Sequence, residues 1–180
     1  ANVNLTKLSN ESGVSMPTIK EFYQILIDTL VVERVDPFLK NARKRILSSP
    51  RYYFFDIGVR NSLARLPLTQ DTFNAQKGIL FEHEVILEIL RRIRILNKNY
   101  KVYYWRTGGG AEVDCIIDLG DEIIPIEIKC SKHISMSELK GLQSFLSEYG
   151  DMVKKAFVVT LDGKKEKLSD KITAIPWNML

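Results

Sequence analysis

The chain has 180 residues, enough for one medium domain or two small ones. With 45% hydrophobic and 27% charged residues it has an ordinary soluble composition, and its apolar runs fall far short of the roughly 20 residues of a membrane span. The net charge of +4 permits nucleic-acid binding without demanding it, and two histidines with two cysteines at no ligand-like spacing argue against zinc.

No signal-peptide pattern opens the chain, and Cys115 and Cys130 read as buried free thiols of a reducing, cytoplasmic compartment. Ala1 stands where an initiator Met would, and a helix starts almost at once. Together these suggest a fragment of a longer protein.

In chain order, Leu5 to Glu11 reads as a short helix broken at Ser12-Gly13-Val14. Ser15 offers an N-cap with Pro17 in the first turn of a second helix running to about Thr29. Its apolar stripe is Ile19, Phe22, Tyr23, Leu26 and Ile27. Strand-like runs at Leu30–Phe38 and Arg51–Phe55 then bracket a basic loop. Helix, turn, helix and a two-stranded ribbon together read as a winged helix over residues 1–66. Docked on DNA, it would offer Thr18, Lys20, Glu21 and Gln24 to a groove, and Lys40, Arg43, Lys44, Arg45 and Arg51 to phosphates. Glu21 and the scarcity of Arg on the second helix point instead to a protein-binding module with a solvated basic loop.

A short helix is expected from Gly58 to Leu66. Residues 67–77 are polar and aperiodic, so a linker is placed there. Residues 78–180 form the second domain. A long helix from about Gly78 to Asn97 carries an apolar face through Ile79, Val85, Ile86, Ile89, Leu90 and Ile93. Glu82 falls within that face and needs a partner there, because an unpaired buried charge costs several kcal/mol.

Lys101–Arg106 alternates as a strand, and Gly108-Gly109-Gly110 connects it onward. Ser135 with Glu138 forms a capping box that opens a helix through Leu139, Leu142, Phe145 and Leu146 to Tyr149, with Gly150 as its C′ residue. Ala156–Leu161 is apolar enough for a central strand, and Ile172–Trp177 is expected as a final edge strand marked by Pro176.

Between these elements lies a β-hairpin. Glu112–Leu119 and Ile123–Cys130 flank a turn at Gly120-Asp121. With the loop centred between those two residues, Asp114 faces Glu127 and Glu112 faces Lys129, all on one side of the sheet. Val113, Cys115, Ile117, Ile124, Ile126 and Ile128 line the other side. Opposed like charges destabilise a strand pair, by about 4 kcal/mol at ~4 Å and an effective dielectric of ~20. A divalent cation between Asp114 and Glu127 would convert that defect into a site; a solvated charged face is the plainer alternative.

Glu82 on the first core helix, Asp114 in the hairpin and Glu127-Ile128-Lys129 on the next strand resemble the PD-(D/E)XK nuclease-like superfamily. Gln143 occupies the place of a polar residue often found on that fold's second helix. The Pro of the first motif is replaced by Val113, which leaves the metal-binding group untouched. The resemblance implies an α/β chain: a winged helix followed by an α-β-β-β-α-β, restriction-endonuclease-like three-layer domain with a mixed sheet. The whole chain is also similar to the C-terminal part of a prokaryotic AAA-type ATPase family, in which an ATPase module precedes these two domains. Ser49-Pro50-Arg51-Tyr52-Tyr53-Phe54-Phe55-Asp56-Ile57-Gly58, Gly78-Ile79-Leu80-Phe81-Glu82 and Glu112-Val113-Asp114 carry that likeness. No phosphate-cradling Gly-x-x-x-x-Gly-Lys-Ser/Thr occurs in these residues, so ATP is expected only on an upstream module.

What the resemblance implies is hydrolysis of DNA or RNA phosphodiesters with Mg²⁺ or Mn²⁺. Asp114, Glu127 and the Ile128 carbonyl would hold the ion, Glu82 would assist, and Lys129 would orient water or meet phosphate charge. Arg106 and Lys132 are basic candidates for substrate phosphates. The competing expectation is a non-catalytic regulatory or partner-binding module of the ATPase. A winged-helix transcription regulator with a sensor domain is a third, which leaves the Glu82–Lys129 set unexplained.

Overall fold

Helix α1 (Leu5–Ser12) starts where the Asn4 side chain accepts the Lys7 N–H, and it ends at Gly13. Gly13 has φ 70°, the left-handed conformation that a Cβ disfavours. Ser15 caps α2 (Met16–Asp28) by accepting from the Thr18 N–H, with Pro17 in the first turn. An antiparallel pair follows, β1 (Val32–Pro37) and β2 (Arg51–Phe54), with Val32 opposite Phe54 and Val35 opposite Arg51. Ile19, Val32, Val35 and Tyr53 are buried, and the Tyr23 ring of α2 lies 4.5 Å from that of Tyr52. Asp56 then caps α3 (Ile57–Leu63). The structure is a computed structural model that describes residues 3–38 and 49–180, in two units, Ala1–Leu66 and Pro67–Leu180.

The second unit opens with α4 (Gln70–Ile95), eight residues earlier than the sequence suggests. Thr69 accepts from the Thr72 N–H as N-cap, Asp71 lies in the first turn, and Gln70 donates to Asn74 one turn on. Residues 70–77 are therefore helix and not linker. Polar nearly all round, this turn-rich start shows no apolar period, and local capping decides it. The buried face also shifts: Leu80, His83 and Leu87 are buried with Val85, Ile86 and Ile89, whereas Ile79 is 54% exposed.

Strands β3 (Lys101–Arg106), β4 (Glu112–Asp118), β5 (Ile123–Lys129), β6 (Ala156–Thr160), β7 (Glu166–Lys167) and β8 (Ile172–Pro176) form a mixed sheet. Its order is β3-β4-β5-β6-β8-β7. The pairs β3–β4 and β4–β5 are antiparallel, β5–β6 and β6–β8 are parallel, and β7 runs antiparallel to β8. The chain is thus α/β. Strand β8 is not the edge: the two-residue β7 covers it, within a stretch whose charge reads as plain loop.

Helix α5 (Lys140–Tyr149), entered through a 3₁₀ turn (Met136–Leu139), packs on β4 and β5. Its Phe145 meets Trp105 of β3 edge-on at 5.3 Å and stacks on Tyr149 at 4.7 Å, on the sheet face that also carries Val113. The opposite face presents Ile116, Ile123 and Pro125, all buried, and α4 packs against β5 there. Gly150 has φ −57° and continues into a 3₁₀ turn (Gly150–Met152), so it does not act as a left-handed cap. Among the described residues no helix is long and apolar enough to cross a membrane.

Helix α5 approaches β4 so closely that a Cβ on Gly141 would lie 2.0 Å from the Glu112 carbonyl oxygen. Elsewhere in a helix, alanine in place of glycine stabilises by about 1 kcal/mol. At this position backbone meets backbone, so overpacking wins and Gly141→Ala should destabilise by about 1–3 kcal/mol in urea unfolding. An unchanged or higher midpoint would show that α5 can lift off β4 without cost.

Candidate active site

The hairpin that carries the acidic residues turns at Gly120-Asp121. Leu119 donates to the Glu122 carbonyl at 3.0 Å, and Gly120 takes φ 98° at the first central position, the type II′ pattern. The ladder places Cys115 opposite Ile126 and Ile117 opposite Ile124, the register expected from alternation alone. One residue beyond the last pair, Asp114 comes opposite Glu127. There the backbone ladder gives way, and the Asp114 Oδ2 accepts the Ile128 N–H at 2.8 Å. The N–H and C=O of one extended residue point to the same side, so the Ile128 carbonyl also faces β4.

Strand β5 lies between an antiparallel and a parallel neighbour with helices over both faces, so its side chains are buried on both sides. Glu127 is consequently 7% exposed. Its Oε1 lies 2.7 Å from the Lys129 ammonium, while Oε2 is buried with no hydrogen-bond partner. Burial pushes the Glu127 carboxyl above the usual carboxylate range. Lys129 opposes that shift, and the negative charges of Glu112 and Glu82 add to it. Burial works against the Lys129 charge too, but Glu127, with Asp114 and Glu138, outweighs it and holds the ammonium firmly protonated.

The four expected residues therefore belong to one electrostatic cluster. Glu82, half-buried on α4, acts electrostatically on Glu127, and Asp114 acts on Lys129; continuing the hairpin register puts Asp114 opposite Glu127, and Lys129 sits against Glu127. As the side chains stand, no three Asp, Glu, His or Cys groups among the described residues come close enough together to hold a metal ion. Mg²⁺ commonly uses only one or two protein carboxylates and keeps several waters. Asp114 and Glu127 supply two carboxylates of the type such an ion takes, and the orphaned Glu127 Oε2 is an acceptor that a cation would complete.

The accessory residues fare less evenly. Glu112 meets Arg106 of β3 at 3.5 Å. Lys132 pairs with Asp162 at 2.8 Å on the surface, and Gln143 is exposed on α5. In the first unit Lys20 is exposed, but Arg51 is 4% exposed and so is not open to a phosphate. Lys40, Arg43, Lys44 and Arg45 lie outside the described residues. Cys115 is buried and Cys130 half-buried, both as free thiols. Glu138 is the residue that pattern reading missed. Its capping role was visible, with its carboxylate accepting from the Ser135 N–H at 2.8 Å, but its electrostatic effect on Lys129 was not.

The raised Glu127 pKa sets a pH dependence. Between the ordinary value of 4.5 and its higher native value, the folded chain holds more proton than the unfolded chain, so stability falls as pH rises through that window. Below 4.5 both states are protonated and the contribution vanishes. Glu127→Gln removes this dependence. It also leaves Lys129 unpaired, but Lys129 stays charged throughout the window, so that loss is a constant offset. In urea unfolding from about pH 4 to about pH 8, wild type should lose stability relative to the Gln variant as pH rises; parallel curves would contradict the burial argument.

Comparison with known proteins yields two family matches. Residues 77–180, more than half of the chain, match the family described as Domain of unknown function (DUF4143), and residues 1–70 match Domain of unknown function (DUF8612). Uncharacterized protein Rv2008c of Mycobacterium tuberculosis and uncharacterized protein Mb2031c of Mycobacterium bovis are each 29% identical over 175 residues. Those alignments cover 94% of this chain but 37% of each relative, so the chain spans little more than a third of their length. No solved structure matches significantly.

Proposed function

The chain belongs to the DUF4143 family, and within it we propose that the 67–180 unit is a metal-dependent phosphodiester hydrolase of the PD-(D/E)XK nuclease-like type. The observation that carries this reading is the buried, unpartnered Glu127 Oε2 opposite Asp114 and beside Lys129. A fold keeps an orphaned carboxylate oxygen at a cost of about 1–3 kcal/mol unless something completes it. Asp114, Glu127 and the Ile128 carbonyl would hold Mg²⁺ or Mn²⁺. When bound, such an ion lowers the pKa of water and offsets charge on a phosphate. Lys129 orients the attacking water or meets the developing phosphate charge, and Glu82 supports the cluster from α4. Arg106 and Lys132, each in an exposed ion pair of small net worth, exchange their partners for substrate phosphates readily.

On this reading residues 1–66 are a winged helix, and the chain is the C-terminal part of a cytoplasmic AAA-type ATPase that carries its nucleotide site upstream. The substrate is DNA or RNA. The test is incubation of the protein with single- and double-stranded DNA and RNA in Mg²⁺ or Mn²⁺. Cleavage that EDTA abolishes supports the proposal, and intact substrates in every case reject it for this chain.

A second reading has its own observation. Helix α2 exposes Phe22 at 54% and Ile25 at 51%, an apolar pair one turn apart on the helix that would otherwise face DNA. Apolar surface of that kind suits a protein partner better than a phosphate backbone, which favours a regulatory, partner-binding role for the first unit.

A further inference from the structure

We propose that the turn after β8 and the loop between β6 and β7 form a platform for a single-stranded nucleic acid beside the acidic cluster. Trp177 stacks on a base, and Lys164 and Lys165 hold phosphates. This rests on the hydrolase reading given above and narrows its substrate to a single strand of DNA or RNA. Strands β5, β6 and β8 are parallel, with Lys129 opposite Thr160 and Thr160 opposite Pro176, so they end together at the edge where Lys129 stands. Trp177 follows Pro176 and opens a 3₁₀ turn (Trp177–Met179). It is two strands away from Lys129, ~10 Å at the usual sheet spacing, or about three nucleotides at the ~3.4 Å rise of a stacked strand. The turn is held in place: the Leu180 N–H donates to the Trp177 carbonyl at 3.2 Å, and a Leu180 main-chain oxygen accepts from the Arg92 guanidinium of α4. Trp177 is nonetheless 49% exposed.

The chain leaves β6 at Thr160 and enters β7 at Glu166, and β8 lies between those two strands. The connecting loop therefore crosses the end of β8 from which Trp177 emerges. Its start lies against the segment past Lys129: a Cβ on Gly163 would stand 3.4 Å from the Lys132 carbonyl oxygen, and Asp162 pairs with Lys132 at 2.8 Å. Lys164 and Lys165 come next, both exposed, and among the described residues neither has a carboxylate partner. Of the acidic groups along this stretch, Asp162 and Asp170 are engaged by Lys132 and Lys167, and Glu166 already belongs to β7, opposite Ala174. An exposed ring beside unpaired lysines is the combination that holds a single strand, because every base has a face to stack and every nucleotide a phosphate. Base pairs in a duplex stack on one another, so only an unpaired strand offers its base faces to the ring. The ring alone would suit a protein partner equally; lysines are depleted from protein interfaces, and the two beside it favour a polyanion.

The chain has two tryptophans, and Trp105 is 2% exposed, so quenching of tryptophan emission by an added strand reports on Trp177. The test is titration of the 180-residue protein with oligo-dT and oligo-U of about 12 nucleotides and with a duplex of equal length. EDTA holds cleavage off, and the anisotropy of labelled strands gives the affinities. Single strands should quench the emission and bind about tenfold more tightly than the duplex; quenching by only one of the two identifies the strand as DNA or RNA. Trp177→Leu should weaken single-strand binding about tenfold, the worth of one stacked base, with its salt dependence unchanged. Trp177→Phe keeps a ring and should restore most of the affinity. Lys164→Gln with Lys165→Gln should reduce the slope of log affinity against log salt by about 1.4, two phosphate contacts at ~0.7 each. Single strands bound without quenching, a duplex bound as tightly, or no binding at all would each overturn the platform, even if the protein cleaves nucleic acid. Quenching and binding without any EDTA-sensitive cleavage would support the platform and remove the hydrolase reading alone. Circular-dichroism melts confirm that the variants are folded.

Discussion

Asp114→Asn should abolish phosphodiester cleavage and leave the fold intact, whereas Asp114→Ala should lose both cleavage and stability. The difference follows from the two jobs of this carboxylate. One oxygen accepts the Ile128 N–H at 2.8 Å, where the backbone ladder of the hairpin has stopped. An asparagine side chain keeps an oxygen for that N–H; alanine leaves it orphaned, at about 1–3 kcal/mol. The charge that would bind the ion is lost in both. Changes to groups that merely support metal ligands cost about 10–100-fold, so loss of a ligand itself should exceed ~100-fold in cleavage rate. Cleavage rates and urea unfolding on the two variants read the two effects separately. Wild-type cleavage by Asp114→Asn would reject the site assignment even if the protein proved to be a nuclease.

The same residue shows what the sequence makes legible. Alternation over Glu112–Leu119 and Ile123–Cys130 admits only one register around Gly120-Asp121, because a slip by one residue would turn the apolar set outward. That register is the one observed, and it brings Asp114 opposite Glu127. Less legible was the burial of Glu127. Alternation tells which residues share a face, not whether that face is covered. Here α4 lies over it, with Ile116, Ile123 and Pro125 buried beside the acidic residues, so the charged face is no solvated surface.

The start of α4 was missed for the opposite reason: residues 70–77 bury little, so there was no period to read, and a Thr69 cap sufficed. Burial of Arg51 depends on which elements approach each other in space, and side-chain type at that position gives no sign of it. Covering helices, rather than strands, therefore decide which of the visible charges become a site.

Phe145→Ala tests that dependence. Phe145 is fully buried, edge-on to Trp105 at 5.3 Å and stacked on Tyr149 at 4.7 Å, and it ties α5 to the sheet. Truncating it should cost about 3–5 kcal/mol, from lost transfer energy and from the cavity left between Trp105 and Tyr149. Against a total stability of about 5–15 kcal/mol, that is enough to lower the urea midpoint steeply or to unfold the unit at moderate temperature. Phe145→Leu, which keeps most of the volume, should cost a good deal less, on the order of 1–2 kcal/mol. The leucine variant is thus the informative one for function, because it stays folded while loosening the helix. If α5 only fills the face opposite the acidic residues, Phe145→Leu should leave Mn²⁺ binding unchanged. If α5 sets the position of β4 at Asp114, through its seat at Gly141 on the Glu112 backbone, Mn²⁺ binding should weaken measurably. The second outcome is expected, since close packing passes small displacements from one contact to the next instead of absorbing them.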